Sequence, residues 1–233
     1  MIPSGRPTPG RRHSTGQSLP EFLIVLPVFL FLVLLIFQLV LIYRAKTTLD
    51  YATLEAARRG AIHGADVAEM RKGLAQGLTP LYATSTGLTD VAIAYGRARA
   101  DLAINGDIEV VSPTRAMWDA YRERQYDGRQ ALPNDSLAFR DRAIRGGEVN
   151  VQDANLLKIR VTYYYPLVVP FVDLVLRGRS RYVQSDGIFD PSNVELRHPL
   201  LGGPFMGDHY RIELESQAVV QMQSPIHERT NLR

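Results

Sequence analysis

Residues Phe22 to Ile42 form an uninterrupted stretch of 21 uncharged residues, FLIVLPVFLFLVLLIFQLVLI, and nothing else in the chain limits its fold so strongly. At ~1.5 Å rise per residue such a helix reaches about 32 Å, enough to cross the hydrocarbon of a bilayer. Only Pro27 and Gln38 interrupt its apolar character, and no periodic polar face marks it as the core helix of a soluble domain. A removable secretory signal has a shorter apolar region and a small-residue cleavage site after it. Here YRAKTTLD follows instead, so the run is expected to remain as a single-pass membrane anchor. Arg6, Arg11 and Arg12 precede it, against Arg44 and Lys46 just after it, a bias that places the N-terminus in the cytoplasm and the rest of the chain outside. Pro27 removes a backbone donor within the span and permits a kink.

The formal charge of +3 belongs to this same leader. Without residues 1–16, 24 basic side chains face 24 acidic ones, so the remainder carries no electrostatic footprint for a phosphate backbone and nucleic-acid binding is not expected. The chain has no cysteine, which excludes disulfides, thiolate zinc sites and cysteine nucleophiles. Whatever lies beyond the anchor must be held by its own core, and its length is sufficient for one.

Between the basic leader and the apolar run sits Gly16-Gln17-Ser18-Leu19-Pro20-Glu21-Phe22. Glu21 stands at the threshold of the hydrocarbon, where an ionised carboxylate is costly unless it snorkels or finds a cation. A basic leader, a glycine, a glutamate five residues on and an aromatic after it resemble a prepilin peptidase site. The later stretch LDYATLEAARRGA is likewise similar to the segment that follows the anchor in TadE-like minor pilins and pseudopilins of the Tad (tight adherence, Flp-type type IV) pilus. That resemblance implies cleavage between Gly16 and Gln17, with Glu21 as the fifth and Pro27 as the eleventh residue of the mature chain. It implies further that Glu21 and Phe22 act in assembly registry, the glutamate meeting the new terminal amine of an adjacent subunit. Gln17 stands where many pilins carry phenylalanine. The partners implied are the membrane, prepilin peptidase, other pilin or pseudopilin subunits and the Tad assembly machinery.

The expected organisation is a basic leader at 1–16, a transmembrane helix at 17–43, its periplasmic continuation at 44–72 and a globular head at 73–233. Good helix formers from Tyr43 to Leu74 argue for one long helix. Along it Thr48, Ala52, Ala56, Gly60 and Gly64 recur every four residues, a stripe of small side chains that lets another element approach closely, either the head's own sheet or a neighbouring subunit. In the head, Leu157, Ile159, Val161 and Tyr163 alternate with Lys158, Arg160, Thr162 and Tyr164, the signature of a strand with one buried face. A second strand sets Tyr210, Ile212, Leu214, Ala218, Val220 and Met222 on one face and Arg211, Glu213, Glu215, Gln217 and Gln221 on the other, with Pro225 ending it. A shorter strand is expected at Asp107 to Val111. Pro166 to Leu176 is too short to span and reads as an amphipathic helix covering the sheet, or as a membrane-resting surface. Residues 112–149, with the only tryptophan, Trp118, read as a surface insertion. The fold class is therefore α+β, a long N-terminal transmembrane helix extended into the periplasm and packed on a small antiparallel sheet with short helices.

No catalytic residue, cofactor or metal site is indicated. His13, His63, His198, His209 and His227 show no ligand spacing. Asp186, Asp190, Ser192, Asn193 and Glu195 offer oxygens but lack the spacing and central glycine of a calcium loop. No nucleophile elbow or phosphate loop is present. The expected function is thus structural, in assembly of a Tad/Flp-type pilus from the bacterial inner membrane. The alternatives are a periplasmic binding or enzyme domain on an uncleaved anchor, and a type II secretion pseudopilin.

Overall fold

A computed structural model of the chain describes residues 18–144, 149–169, 194–195 and 211–233. Helix α1, Ser18–Ile62, contains the whole apolar run and passes through Pro27 without ending. The sequence pattern predicts that it continues to Leu74, but it stops at Ile62. Gly64 and Ala65 both adopt left-handed backbone angles, φ 62° and 60°, and the Ala65 amide donates back to the Gly60 carbonyl at 2.8 Å. This closes the helix as C-terminal caps do. Asp66 then caps a new helix, α2 (Val67–Tyr82), by accepting from the Ala68 amide at 2.9 Å. The single extended helix is therefore a helical hairpin.

A third helix, α3 (Leu88–Asn105), leads directly into strand β1 (Gly106–Ser112), which covers the short strand expected from Asp107 to Val111. Helix α4 (Arg115–Tyr121), the small hairpin β2 (Glu123–Arg124) and β3 (Gln130–Ala131), and α5 (Val151–Ala154) precede the two long strands β4 (Leu156–Pro166) and β6 (Arg211–Gln221), with β5 (Val194–Glu195) between them in sequence. The main sheet is antiparallel in the order β1-β4-β6-β5. Register places Ile108 beside Val161, Val110 beside Ile159, and Tyr163 beside Leu214. These inward side chains meet Leu49, Met70, Leu74 and Leu78 from the hairpin in one core. Antiparallel strands with one buried face produce this alternation directly.

On the outward face Arg160 lies between Glu109 on one neighbouring strand, 3.3 Å, and Glu215 on the other, 2.9 Å, a cross-strand charge row of modest energetic worth. Arg211 departs from the expected alternation. It belongs to the polar set by period, yet it is buried.

The segment 112–149 is more than a surface insertion. Trp118 is buried and its indole donates to the Ile226 carbonyl at 2.8 Å, while Leu132, fully buried, bridges Ile226 through both backbone groups. Much of the rest of its described length is exposed, Tyr126, Phe139 and Ile144 included, in keeping with the expectation of a surface elaboration. The amphipathic helix expected within 166–176 lies outside the described residues beyond Val169, as do Tyr210, Asp186, Asp190, Ser192 and Asn193.

Candidate functional site

The N-terminal part of α1 presents large apolar side chains to its surroundings: Phe22, Ile24, Val28, Phe29, Leu32, Ile36 and Phe37 are all exposed. In water such a continuous apolar surface would be a severe liability, so it requires lipid or protein around it. Among the described residues α1 is the one helix long and apolar enough to cross a membrane. Glu21 lies in its first turn, exposed, with no ion pair or hydrogen bond to another described residue. There the unsatisfied amides at the helix N-terminus favour a negative charge. Phe22 is exposed beside it. Gly16 and Gln17 lie outside the described residues.

The C-terminal part of α1 is the opposite surface. Ala52 and Ala56 are fully buried, and the elements against them are glycines of α2. A side-chain carbon at Gly77 would come within 2.4 Å of the Ala52 Cα, and one at Gly73 within 3.1 Å of the Ala56 Cα. Gly60 faces Met70 and Leu157, where an added carbon would meet the Met70 side chain at 2.8 Å. Gly64 supplies the left-handed turn against the Pro225 carbonyl. The small-residue stripe is thus occupied within the chain, chiefly by α2 rather than by the sheet.

Beneath this hairpin lies a buried polar cluster that periodicity does not single out. Asp101 on α3 accepts from the hydroxyls of Tyr82 and Tyr163, each at 2.6 Å, from the Asn105 amide at 2.8 Å and from the Arg211 guanidinium at 3.4 Å. Arg211 also donates to the Tyr164 carbonyl at 2.8 Å. The side chains of Asp101 and Arg211 are only 4% and 5% exposed, so the charges are satisfied by one another and by neutral donors, as buried ions must be. Burial, and then the nearby Asp101 carboxylate, raises the Tyr82 hydroxyl well above its ordinary range. Burial followed by Tyr82 and Asp101 does the same to Tyr163. The cluster ties α2, α3, β4 and β6 at one point.

Two hollows on the head have mixed polar and apolar linings: about 350 Å³ beside β1, lined by Asp107, Ile108, Glu109, Val110, Leu232 and Arg233, and about 210 Å³ beside the turn at Gly64, lined by His63, Asp66, Arg129 and His227. Among the described residues no group of His, Asp and Glu is placed to hold a metal ion.

What the molecule offers is therefore an apolar helix half joined to a head that packs the other half. Residues 16–58 match the family model described as TadE-like protein. The anchor segment is TadE-like. The match begins at Gly16, runs through the exposed apolar half of α1 and ends within the small-residue half, so it links the chain to Tad pilus systems and to a membrane setting. The head, from α2 onward, lies beyond the matched residues. No curated protein and no solved structure matches the chain.

Two features carry signals that local pattern reading passes over. Gly73 and Gly77, four apart, complement Ala52 and Ala56 at the same spacing. Gln38, the lone amide of the apolar run, is fully buried rather than exposed like its neighbours.

Proposed function

We propose that this TadE-like chain is a structural minor pilin or pseudopilin rather than an enzyme, and that it enters or primes assembly of a Tad/Flp-type pilus. Prepilin peptidase removes residues 1–16, Gln17 becomes the first residue, and the head resides on the periplasmic side of the bacterial inner membrane. The observation that carries this reading is the exposed apolar half of α1 inside a TadE-like segment that starts at the glycine of the cleavage motif. A helix of that kind exchanges lipid for neighbouring helices without any change in its own structure, because both surroundings are apolar.

Glu21 supports the same reading. It lies at the N-terminal edge of the apolar surface with no partner among the described residues, which leaves it available to the amine that cleavage would expose on a neighbouring subunit. Such a pair would fix axial register where apolar contacts alone slide.

Intact-mass measurement of the membrane-extracted protein is expected to show Gln17 as the first residue, and Gly16→Trp is expected to block processing. Retention of Met1 in the native host would defeat the proposal. Glu21→Ala is expected to leave cleavage intact and to lower recovery in sheared fibres, and equal recovery would remove the glutamate from assembly.

A further inference from the structure

Gln38 lies four residues before the end of the apolar run, about 6 Å inside it at ~1.5 Å per residue. An amide at that depth on a helix surrounded only by lipid would face hydrocarbon. Instead Gln38 is 0% exposed, and its Oε1 accepts from the backbone amides of Val168 and Val169 at 3.2 and 2.9 Å. These two amides follow the last residue of β4, Pro166, and belong to irregular chain outside the sheet. Backbone amides at membrane depth are tolerated only where the protein itself satisfies them, and Gln38 supplies the acceptor. Leu167 is buried against the core, whereas Val168 is 49% exposed and offers an apolar side chain outward.

The apolar surface of α1 does not stop at Gln38: Leu39 and Val40 beyond it are 42% and 58% exposed, so the amide lies within the lipid-facing stretch and not at its end. We propose that Leu167–Val169 forms a lip of the head that sits within the bilayer leaflet on the head's side, held there by Gln38, with lipid acyl chains against Val168. The inference rests on the membrane-crossing reading of α1, and its test separates the two.

Because the chain has no cysteine, single cysteines introduced at Val168, Phe29 and Leu88 of the full-length protein can each carry an NBD fluorophore in phosphatidylcholine vesicles. Phe29 lies mid-run on exposed α1, and Leu88 starts α3 on the exposed head. Brominated phosphatidylcholines and aqueous iodide serve as quenchers. Position 29 is expected to be quenched by brominated lipid, position 88 by iodide, and position 168 by brominated lipid at least twofold more than position 88. Gln38→Leu is expected to cut brominated-lipid quenching at position 168 by half or more and to raise iodide quenching there, and unchanged quenching would overturn the role of Gln38. In the unsubstituted Gln38 background, iodide quenching at 168 matching that at 88, with 29 still quenched by lipid, overturns the lip alone. Loss of lipid quenching at both 29 and 168 overturns the membrane reading together with it. Shielding of 168 from both quenchers that grows with protein-to-lipid ratio means that a second copy covers the surface, and it also overturns the lipid contact.

Discussion

The two halves of α1 have the same backbone and opposite side-chain strategies. Before Gln38 the helix carries Phe, Leu, Ile and Val outward with little of its own chain against it; after Ile42 it carries Ala, Thr and Gly where other helices come close, sends Leu49 into the core and leaves Tyr43, Tyr51 and Ile62 on its exposed side. Helix propensity does not distinguish the halves, since both are helical throughout. The difference teaches that residue size encodes the surroundings: large side chains suit a yielding apolar medium, whereas small ones suit a rigid neighbour at short distance.

The strongest way to break this contrast lies in the head. Asp101→Ala would leave the Arg211 guanidinium buried without its counter-ion and two tyrosine hydroxyls without their acceptor, with an expected loss of about 3–5 kcal/mol in urea unfolding of the detergent-solubilised protein. A near-neutral result would mean that the cluster does not hold α2, α3, β4 and β6 together. Leu49, fully buried on α1, gives the next effect: Leu49→Ala is expected to cost about 2–5 kcal/mol by the same measurement.

Gly77→Ala sharpens the size argument through its sign. Alanine is the better helix former by about 1 kcal/mol, so a loosely packed hairpin would gain stability. A carbon placed 2.4 Å from Ala52 must push the helices apart, and the expected result is a net loss of about 1–3 kcal/mol.

A pH series isolates the tyrosines. Both hydroxyls are raised above 10 in the folded head, so the folded state keeps protons that the unfolded chain releases. Stability is then fully present below about pH 10 and falls as pH rises beyond it, by up to about 1.4 kcal/mol per pH unit for each tyrosine. Tyr82→Phe is expected to flatten that slope. The smallest effect belongs to the other half of α1: Leu32→Ala, at a position 51% exposed, should change urea stability of the head by no more than about 0.5 kcal/mol. A loss as large as that of Leu49→Ala would erase the distinction between the halves.

What could be read from sequence divides by the range of the interactions involved. The anchor and strands β4 and β6 are visible because their patterns, continuous or alternating, are local. The end of α1 is hidden because it depends on residues 160 or more positions away: Ser224 accepts from the Gly64 amide at 2.8 Å and donates to the Ala61 carbonyl at 2.9 Å, and the Gln223 amide donates to that carbonyl at 3.0 Å. Arg211 is misplaced by alternation for a similar reason, since only the fold brings Asp101 to it. Trp118 and Leu132 look peripheral until Ile226 closes over them. At the candidate site, Glu21 and Phe22 are found at the start of the exposed apolar surface, while Gln38 gains meaning only from the backbone of Val168 and Val169.

The fastening of the helical hairpin by Gln223 and Ser224 sets an order of events. The turn at Gly64 is synthesised well before the groups that pin it, since Ser224 lies 160 residues further along the chain. A nascent head can therefore form helices early but cannot lock them until its carboxy-terminal strand has emerged, and a chain cut short before β6 would leave an open hairpin exposing Ala61 and its neighbours.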